Sequence, residues 1–209
     1  MARHLSDGAA ILDLGCGNGH MVDVFRRAGL RPVGIDVEVS SAREHATRSL
    51  ACGSAESIPF RDGVFDAVFV DSVIQYADRD TVLRECVRVL RPRGLLVAVE
   101  NLRGHPVARA ARAWVRLRGR RPPAHMVPRD RLRRDETGIY LRHFRECESA
   151  VFNLTTLLLY VPVRVTLGMR PRRALNPIYA LLHRIDRGLL KRFPALEHGS
   201  WHIVLCAKR

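Results

Sequence analysis

Lysine is almost missing from this sequence: Lys191 and Lys208 are its only two, and the other 33 of its 35 basic residues are arginine. Such a skew more often follows a genome's codon usage than a binding task, so arginine abundance carries no argument, whereas arginine clustering does. Long apolar runs are missing too. The longest, Val151 to Val165, is broken by Asn153, Thr155, Thr156, Pro162 and Arg164, and roughly 20 mainly apolar residues are needed to cross a bilayer, so no transmembrane helix is expected. The opening Met1-Ala-Arg-His-Leu-Ser-Asp7 lacks the apolar stretch of a secretory signal. Cysteines number 5, at 16, 52, 86, 147 and 206, and never form a C-x-x-C pair. That argues against a disulfide framework and a zinc site, and for a reducing cytoplasm; no metal is expected.

What is present is an ordinary globular composition, 47% hydrophobic over 209 residues with a net charge of +14, enough for one domain spanning 1–209 with a core that needs no staples. Disorder, collagen and coiled coil are excluded by the same composition. The charge is uneven. Residues 1–100 hold 12 arginines and 14 acids, whereas residues 101–134 hold 11 arginines and one acid, Asp130. The basic stretch from about 101 to 138 is therefore set apart as an insertion or lid. A block of that density is a solvated face, a disordered arm or a contact for an anionic surface.

Ala9 to Leu14 is a short apolar run stopped by Gly15, which predicts a buried strand. Gly15-Cys-Gly-Asn-Gly19 then opens a helix with Met21, Val22, Phe25 and Ala28 on one face, ended by Gly29. Pro32 to Asp36 repeats the strand pattern, and Ser41 with Glu44 makes a capping box for a helix running to Arg48. Ser49 to Cys52 reads as a third strand and Val64 to Val70 as a fourth, after the turn Arg61-Asp-Gly63. Asp80 is expected to cap a helix with Leu83, Cys86, Val87 and Leu90 on one face, ended by Pro92 and Gly94 before a fifth strand, Leu95 to Val99. Alternation at this spacing predicts an α/β fold, a doubly wound, mostly parallel sheet with helices on both faces. Later signals predict a helix beginning near Phe144, a strand from about Tyr160, a helix from Pro177 capped by Asn176 with Ile178, Leu181, Leu182, Ile185 and Leu189 facing the core, and a final antiparallel strand, Trp201 to Ala207.

A glycine turn after a first strand lets the backbone approach a ligand closely, and an acid some 20 positions later, Asp36, stands where it could accept both hydroxyls of a ribose. A dinucleotide fingerprint would need glycine at position 20, where this chain has His20. The pattern is G-x-G-x-G preceded by Asp13. Four ordered segments, Leu12-Asp-Leu-Gly-Cys-Gly-Asn-Gly19, Val33-Gly-Ile-Asp36, Gly53-Ser-Ala-Glu-Ser-Ile-Pro-Phe-Arg-Asp-Gly-Val-Phe-Asp66 and Glu85-Cys-Val-Arg-Val-Leu-Arg-Pro-Arg-Gly94, resemble the class I S-adenosylmethionine-dependent methyltransferases, in particular the type 11 group that includes quinone-biosynthesis methyltransferases. The resemblance covers about residues 9–100 and implies a Rossmann-like sheet with S-adenosyl-L-methionine as cofactor. It implies that Asp13, Gly15, Cys16, Gly17, Asn18 and Gly19 hold the methionine end, that Asp36 and the adjoining Val37 hold the ribose, that Ser54, Ala55 and Glu56 flank the adenine, and that Asp71 sits near methionine and acceptor.

Three departures from that family stand out. Ser54 replaces its usual aspartate, Arg93 replaces a usual glycine, and Ile11 comes almost at once where relatives carry helices that close over the cofactor. The expected substitute is a surface helix after the fifth strand, with Ala110, Ala111, Trp114, Val115 and Leu117 on one side and Arg109, Arg112, Arg116 and Arg120 opposite, Arg118 falling on the apolar side. Either Trp114 packs over the cofactor crevice or this basic segment, 103–134, lies against an anionic membrane surface. The donor methyl is already activated, so an enzyme mainly aligns the reactants and offers a base where the acceptor needs one. His143 and His105 are the candidate bases and Tyr76 and Tyr140 the candidate orienting groups; a hydrogen-bonded structural role accounts for each equally well. The implied acceptor is a small-molecule or lipid-like metabolite. The alternatives are RNA methylation, which needs clustered positive charge but lacks aromatics in the arginine block beyond Trp114, and a non-catalytic cofactor-binding scaffold. The expected location is cytoplasmic, peripheral to a membrane if the basic segment binds one.

Overall fold

A computed structural model describes residues 5–38, 49–103, 105–106, 109–110, 113, 117, 128–129, 131–155 and 176–209. Its centre is a seven-stranded sheet, β1 (Ala10–Leu14), β2 (Arg31–Asp36), β3 (Leu50–Cys52), β4 (Phe65–Asp71), β5 (Leu90–Asn101), β6 (Glu146–Phe152) and β7 (His202–Lys208), in the order β3-β2-β1-β4-β5-β7-β6. β1, β2, β3, β4 and β5 pair in parallel; β7 runs antiparallel to both β5 and β6. The strand order reverses between β1 and β4, and open sheets of this kind bind ligands at the strand C-termini beside that point.

Strand alternation sorts the core onto two faces. Leu12, Leu14, Val68, Val70 and Leu96 pack with Val82, Leu83, Cys86 and Val89 of α2 (Arg79–Val89). On the other face Ile11, Ala67, Phe69 and Val97 pack with Phe25 of α1 (His20–Arg27), whose ring meets Phe69 edge-on at 5.4 Å. A doubly wound mixed sheet with helices on both faces is what the alternating pattern implies.

Several boundaries differ from the sequence reading. Asp78, not Asp80, caps α2: its carboxylate accepts the Thr81 amide at 2.9 Å. Pro92 and Gly94 do not precede β5 but lie within it, because the ladder to β4 shifts register between Phe65 and Ala67, and this bulge gives β5 extra residues. No α-helix begins near Phe144. A 3₁₀ helix, Arg134–Arg142, comes first, and Glu146–Phe152 becomes an edge strand because β7 offers a full antiparallel ladder from Glu146–Lys208 to Phe152–His202. Helix α3 (Asn176–Arg192) forms where expected, yet Ile178, Leu181 and Ile185 are exposed and Asp186 is buried. The Asp186 carboxylate accepts from the amides of Leu154 and Thr155 and from the Thr155 hydroxyl, and these charge-assisted bonds set the rotation of the helix. The helix at 41–48 and the strand from Tyr160 lie outside the described residues. Of the basic segment after β5, Pro106, Arg109, Ala110, Ala113 and Leu117 are helical; Ala111, Arg112, Trp114, Val115, Arg116, Arg118 and Arg120 lie outside the description.

Candidate active site

A cavity of about 610 Å³ opens over the C-terminal ends of β1, β2 and β4. Gly15 turns the chain out of β1 at φ +78°, where a side chain would also collide with Val73, so only glycine serves there. Gly34 of β2 has a different reason: a Cβ would lie 2.6 Å from Leu50 and 2.8 Å from Cys16. Cys16 therefore packs down on β2, and burial, reinforced by Asp13 and Asp36, pushes its thiol up to about 12, which keeps it a neutral filler.

Asp36 ends β2, and its two oxygens accept the amides of Gly17 and Glu38, each at 2.9 Å. Each carboxylate oxygen has a further lone-pair site, so the group that pins the turn could also receive hydroxyls. Asn18 accepts the His20 amide at 3.2 Å, and Gly19 is the N-cap of α1 at φ +78°. Beneath this turn Asp13 is 3% exposed, and its Oδ2 has no hydrogen-bond partner among the described residues. Burial first, then the charges of Asp71 and Asp36, raise it from its ordinary 3.8 to about 7. A buried carboxylate with an oxygen left without a partner among like charges calls for a cation.

Asp71 closes β4 and accepts the Ser72 hydroxyl at 2.8 Å. Ser72 holds φ +59°, a conformation that non-glycine residues adopt mainly where surrounding structure over-determines it. Here Asn101 does so, donating to Ser72 Oγ at 2.9 Å while Trp201 donates to Asn101 at 2.8 Å. On the far wall Ser54 accepts the Glu56 amide at 3.1 Å, and Glu56 accepts the Asp78 amide at 2.7 Å and meets Arg129 at 3.5 Å.

Gly15, Asp36, Val37, Ser54, Ala55, Glu56 and Tyr76 therefore line one cavity. Asp13, Cys16, Gly17, Asn18, Gly19 and Asp71 are not among the residues that line it; Asp13 and Asp71 lie near the ends of β1 and β4, and the other four lie in the turn that Gly15 opens. The other three aromatic candidates are held elsewhere. Tyr140 is fully buried with its hydroxyl donating to Glu100; burial and Glu100 push its pKa well above the ordinary 10.0. His143 pairs with Asp80 at 2.8 Å, and His105 is buried with Nε2 3.1 Å from the Leu154 carbonyl. Sequence reasoning missed Ser72, Val73, Ala77, Asn101 and Arg129. Only Ser72 carried a signal, its place next to Asp71 at a strand end.

Comparison with known proteins agrees with this architecture. Residues 12–98 match the model of a family described as a methyltransferase domain. A malonyl-[acyl-carrier protein] O-methyltransferase from Pectobacterium atrosepticum is 30% identical over 126 residues, covering 58% of this chain and 49% of the relative. A ubiquinone biosynthesis O-methyltransferase from Rhodopseudomonas palustris is 33% identical over 107 residues, covering 46% of this chain and 42% of the relative. The chain thus spans about half the length of the curated relatives it matches. The structure of a SAM-dependent methyltransferase from Archaeoglobus fulgidus superposes with a TM-score of 0.62 at 14% identity, over 96% of this chain and 86% of that one. Residues 12–98 thus match a methyltransferase domain, and the chain shares its fold with a SAM-dependent methyltransferase.

Proposed function

We propose that the protein transfers the methyl group of S-adenosyl-L-methionine to a small-molecule or lipid-like metabolite. The observation that carries this reading is Asp13, a buried carboxylate whose Oδ2 lacks a partner among the described residues, beside Asp36 and Asp71 and beneath a glycine turn. The residues fit the cofactor: Asp13 and Asp71 would face a cationic methionine end, Asp36 with the adjoining Val37 would take the ribose, and Ser54, Ala55 and Glu56 would flank the adenine. When bound, the cofactor supplies an electrophilic methyl on a positively charged sulfur. The chain's own work is to orient the acceptor in line with that methyl and exclude water. Tyr76 is 36% exposed at the cavity wall, and its phenol can fix an acceptor oxygen or nitrogen by a hydrogen bond. The malonyl-carrier and ubiquinone-pathway enzymes are O-methyltransferases by name, which supports an oxygen acceptor here.

Incubating the full chain with methyl-labelled cofactor and a metabolite extract, followed by mass spectrometry, tests the reading. A labelled small product that disappears in Asp13→Asn is the expected result. Cofactor binding without turnover on any acceptor would favour a scaffold, and label in RNA would favour nucleic acid as substrate.

A further inference from the structure

A second cavity, of about 540 Å³, lies beyond the end of β5. Four arginines line it, Arg103, Arg109, Arg133 and Arg134, against one acid, Asp135. Two of the four are neutralised: Arg133 meets Asp135 at 3.3 Å, and Arg134 meets Glu197 at 2.9 Å. Arg103 and Arg109 make no side-chain ion pair or hydrogen bond among the described residues. Their backbones are fixed, Arg103 by donating to the Leu132 carbonyl at 3.1 Å and Arg109 by donating to the His105 carbonyl at 3.0 Å. Two exposed guanidiniums without a partner among the described residues thus share one concavity with two that are paired, and the remedy for their like charge is an anion. The guanidinium fork matches the oxygens of a phosphate, donating to them parallel bonds that a point charge cannot make.

Two strips of chain link residues that line this cavity to residues that line the first. On one strip Ser72, in the wall of the first cavity, is bonded to Asn101, and Leu102 and Arg103, which follow Asn101, line the second. On the other, Arg129 lines the first cavity, its amide bonded to Gln75, and Arg133 lines the second. Between them stands Arg131, whose pKa burial pulls down, with the like charge of Arg103 acting the same way and Tyr76 opposing. Arg131 thus feels both the aromatic group of the first cavity and a guanidinium of the second.

We infer that the arginine-lined cavity is the anchor for the acceptor: it takes a phosphate group of the molecule to be methylated, while the nucleophile of that molecule reaches the first cavity past Ser72 and Asn101. The inference rests on the methyl-transfer reading for the word acceptor, but the phosphate site itself does not. A volume larger than a bare ion needs leaves room for the carbon skeleton next to the phosphate.

Calorimetric titration of the full chain with inorganic phosphate decides the matter, run beside the same titration with S-adenosyl-L-methionine. Saturable phosphate binding is expected, weakened at least about tenfold in Arg103→Ala/Arg109→Ala, since each charge-assisted bond is worth about that much. In the same variant cofactor affinity should stay within about twofold of wild type, which shows the fold intact. Arg103→Lys/Arg109→Lys, keeping charge and losing the fork, should fall between. No phosphate binding at tens of millimolar, or equal binding in the alanine variant, overturns the anchor while leaving the methyl-transfer reading untouched. Loss of cofactor binding in the wild type would instead sink that reading and leave the phosphate site standing. Sedimentation with phosphatidylcholine vesicles carrying phosphatidic acid separates the sources. Retention that free phosphate competes away identifies a lipid headgroup; phosphate binding without retention identifies a soluble phosphate ester.

Discussion

Asp36 accepts the amide of Gly17 at 2.9 Å, so the last residue of β2 holds the turn that follows β1. One side chain thereby shapes the first cavity and presents a charge to it. Asp36→Ala should weaken S-adenosyl-L-methionine about 10- to 150-fold, the worth of bonds to a charged acceptor. Calorimetry giving the mutant wild-type affinity would remove Asp36 from the ribose site.

The buried Asp13 makes cofactor binding depend on pH. With its pKa raised from 3.8 to about 7 by burial and by Asp71 and Asp36, the free protein holds a proton there below neutrality, and a cationic ligand must displace it. Affinity should therefore rise with pH up to about 7, by at most about tenfold per unit, and then level. Stability runs the other way. The native state binds the proton more tightly than the unfolded chain does, so the ligand-free protein should lose stability as pH climbs from about 4 to 7 and little beyond. Asp13→Asn should flatten both profiles, measured by calorimetry and by thermal melts across that range. Unchanged slopes in the mutant would mean that another group titrates.

Ser54 stands where the family usually has aspartate, and its hydroxyl accepts the Glu56 amide at 3.1 Å. A carboxylate accepts the same bond, so Ser54→Asp should fold normally and bind cofactor about two- to fivefold tighter, the gain from a charged contact being offset by desolvation. A tenfold loss would show the pocket rebuilt around the hydroxyl.

The strands and the glycine turn were legible because periodicity, glycine and strand-end acids are local signals. Leu12, Leu14, Val68 and Val70 are buried as an apolar run in a parallel sheet requires. The side chains that hold Ser72 in place were not legible. Asn101 matters because β5 lies beside β4 and sets its amide on Ser72, a pairing with no local trace. Glu146–Phe152 shows little apolar alternation, as suits an edge strand, and only the ladder to β7 reveals it. The apolar stripe on α3 predicts the helix, but of its five residues Ile178, Leu181 and Ile185 are exposed and Leu182 and Leu189 only half-buried, because apolar spacing says nothing of the three hydrogen bonds that turn Asp186 inward.

Arg93, in place of the family's usual glycine, adopts φ +65° in an exposed position before Gly94. An L side chain in that region costs about 1–2 kcal/mol, part of which glycine returns through its greater freedom when unfolded. Arg93→Gly should raise stability by about 0.5–1 kcal/mol with cofactor affinity unchanged. A melting temperature at or below that of wild type would show that Arg93 makes a stabilising contact.

Tyr140 offers the sharpest separation of support from chemistry. Its hydroxyl donates to one oxygen of the buried Glu100, and Arg79 donates to the other at 3.0 Å, so one residue of the 3₁₀ helix, one of β5 and one of α2 are joined in a dry network. Burial and the neighbouring Glu100 hold the phenol well above its ordinary pKa, and a group that does not ionise near neutral pH cannot act as a base there. Tyr140→Phe leaves the ring in place and removes only the donor, stranding a carboxylate oxygen; the expected cost is about 1–3 kcal/mol of stability. Below the melting transition, kcat and cofactor affinity should remain within about threefold of wild type. A fall in kcat of a hundredfold or more, with the melting temperature unmoved, would instead put the hydroxyl in contact with the reacting molecule and the buried network out of account.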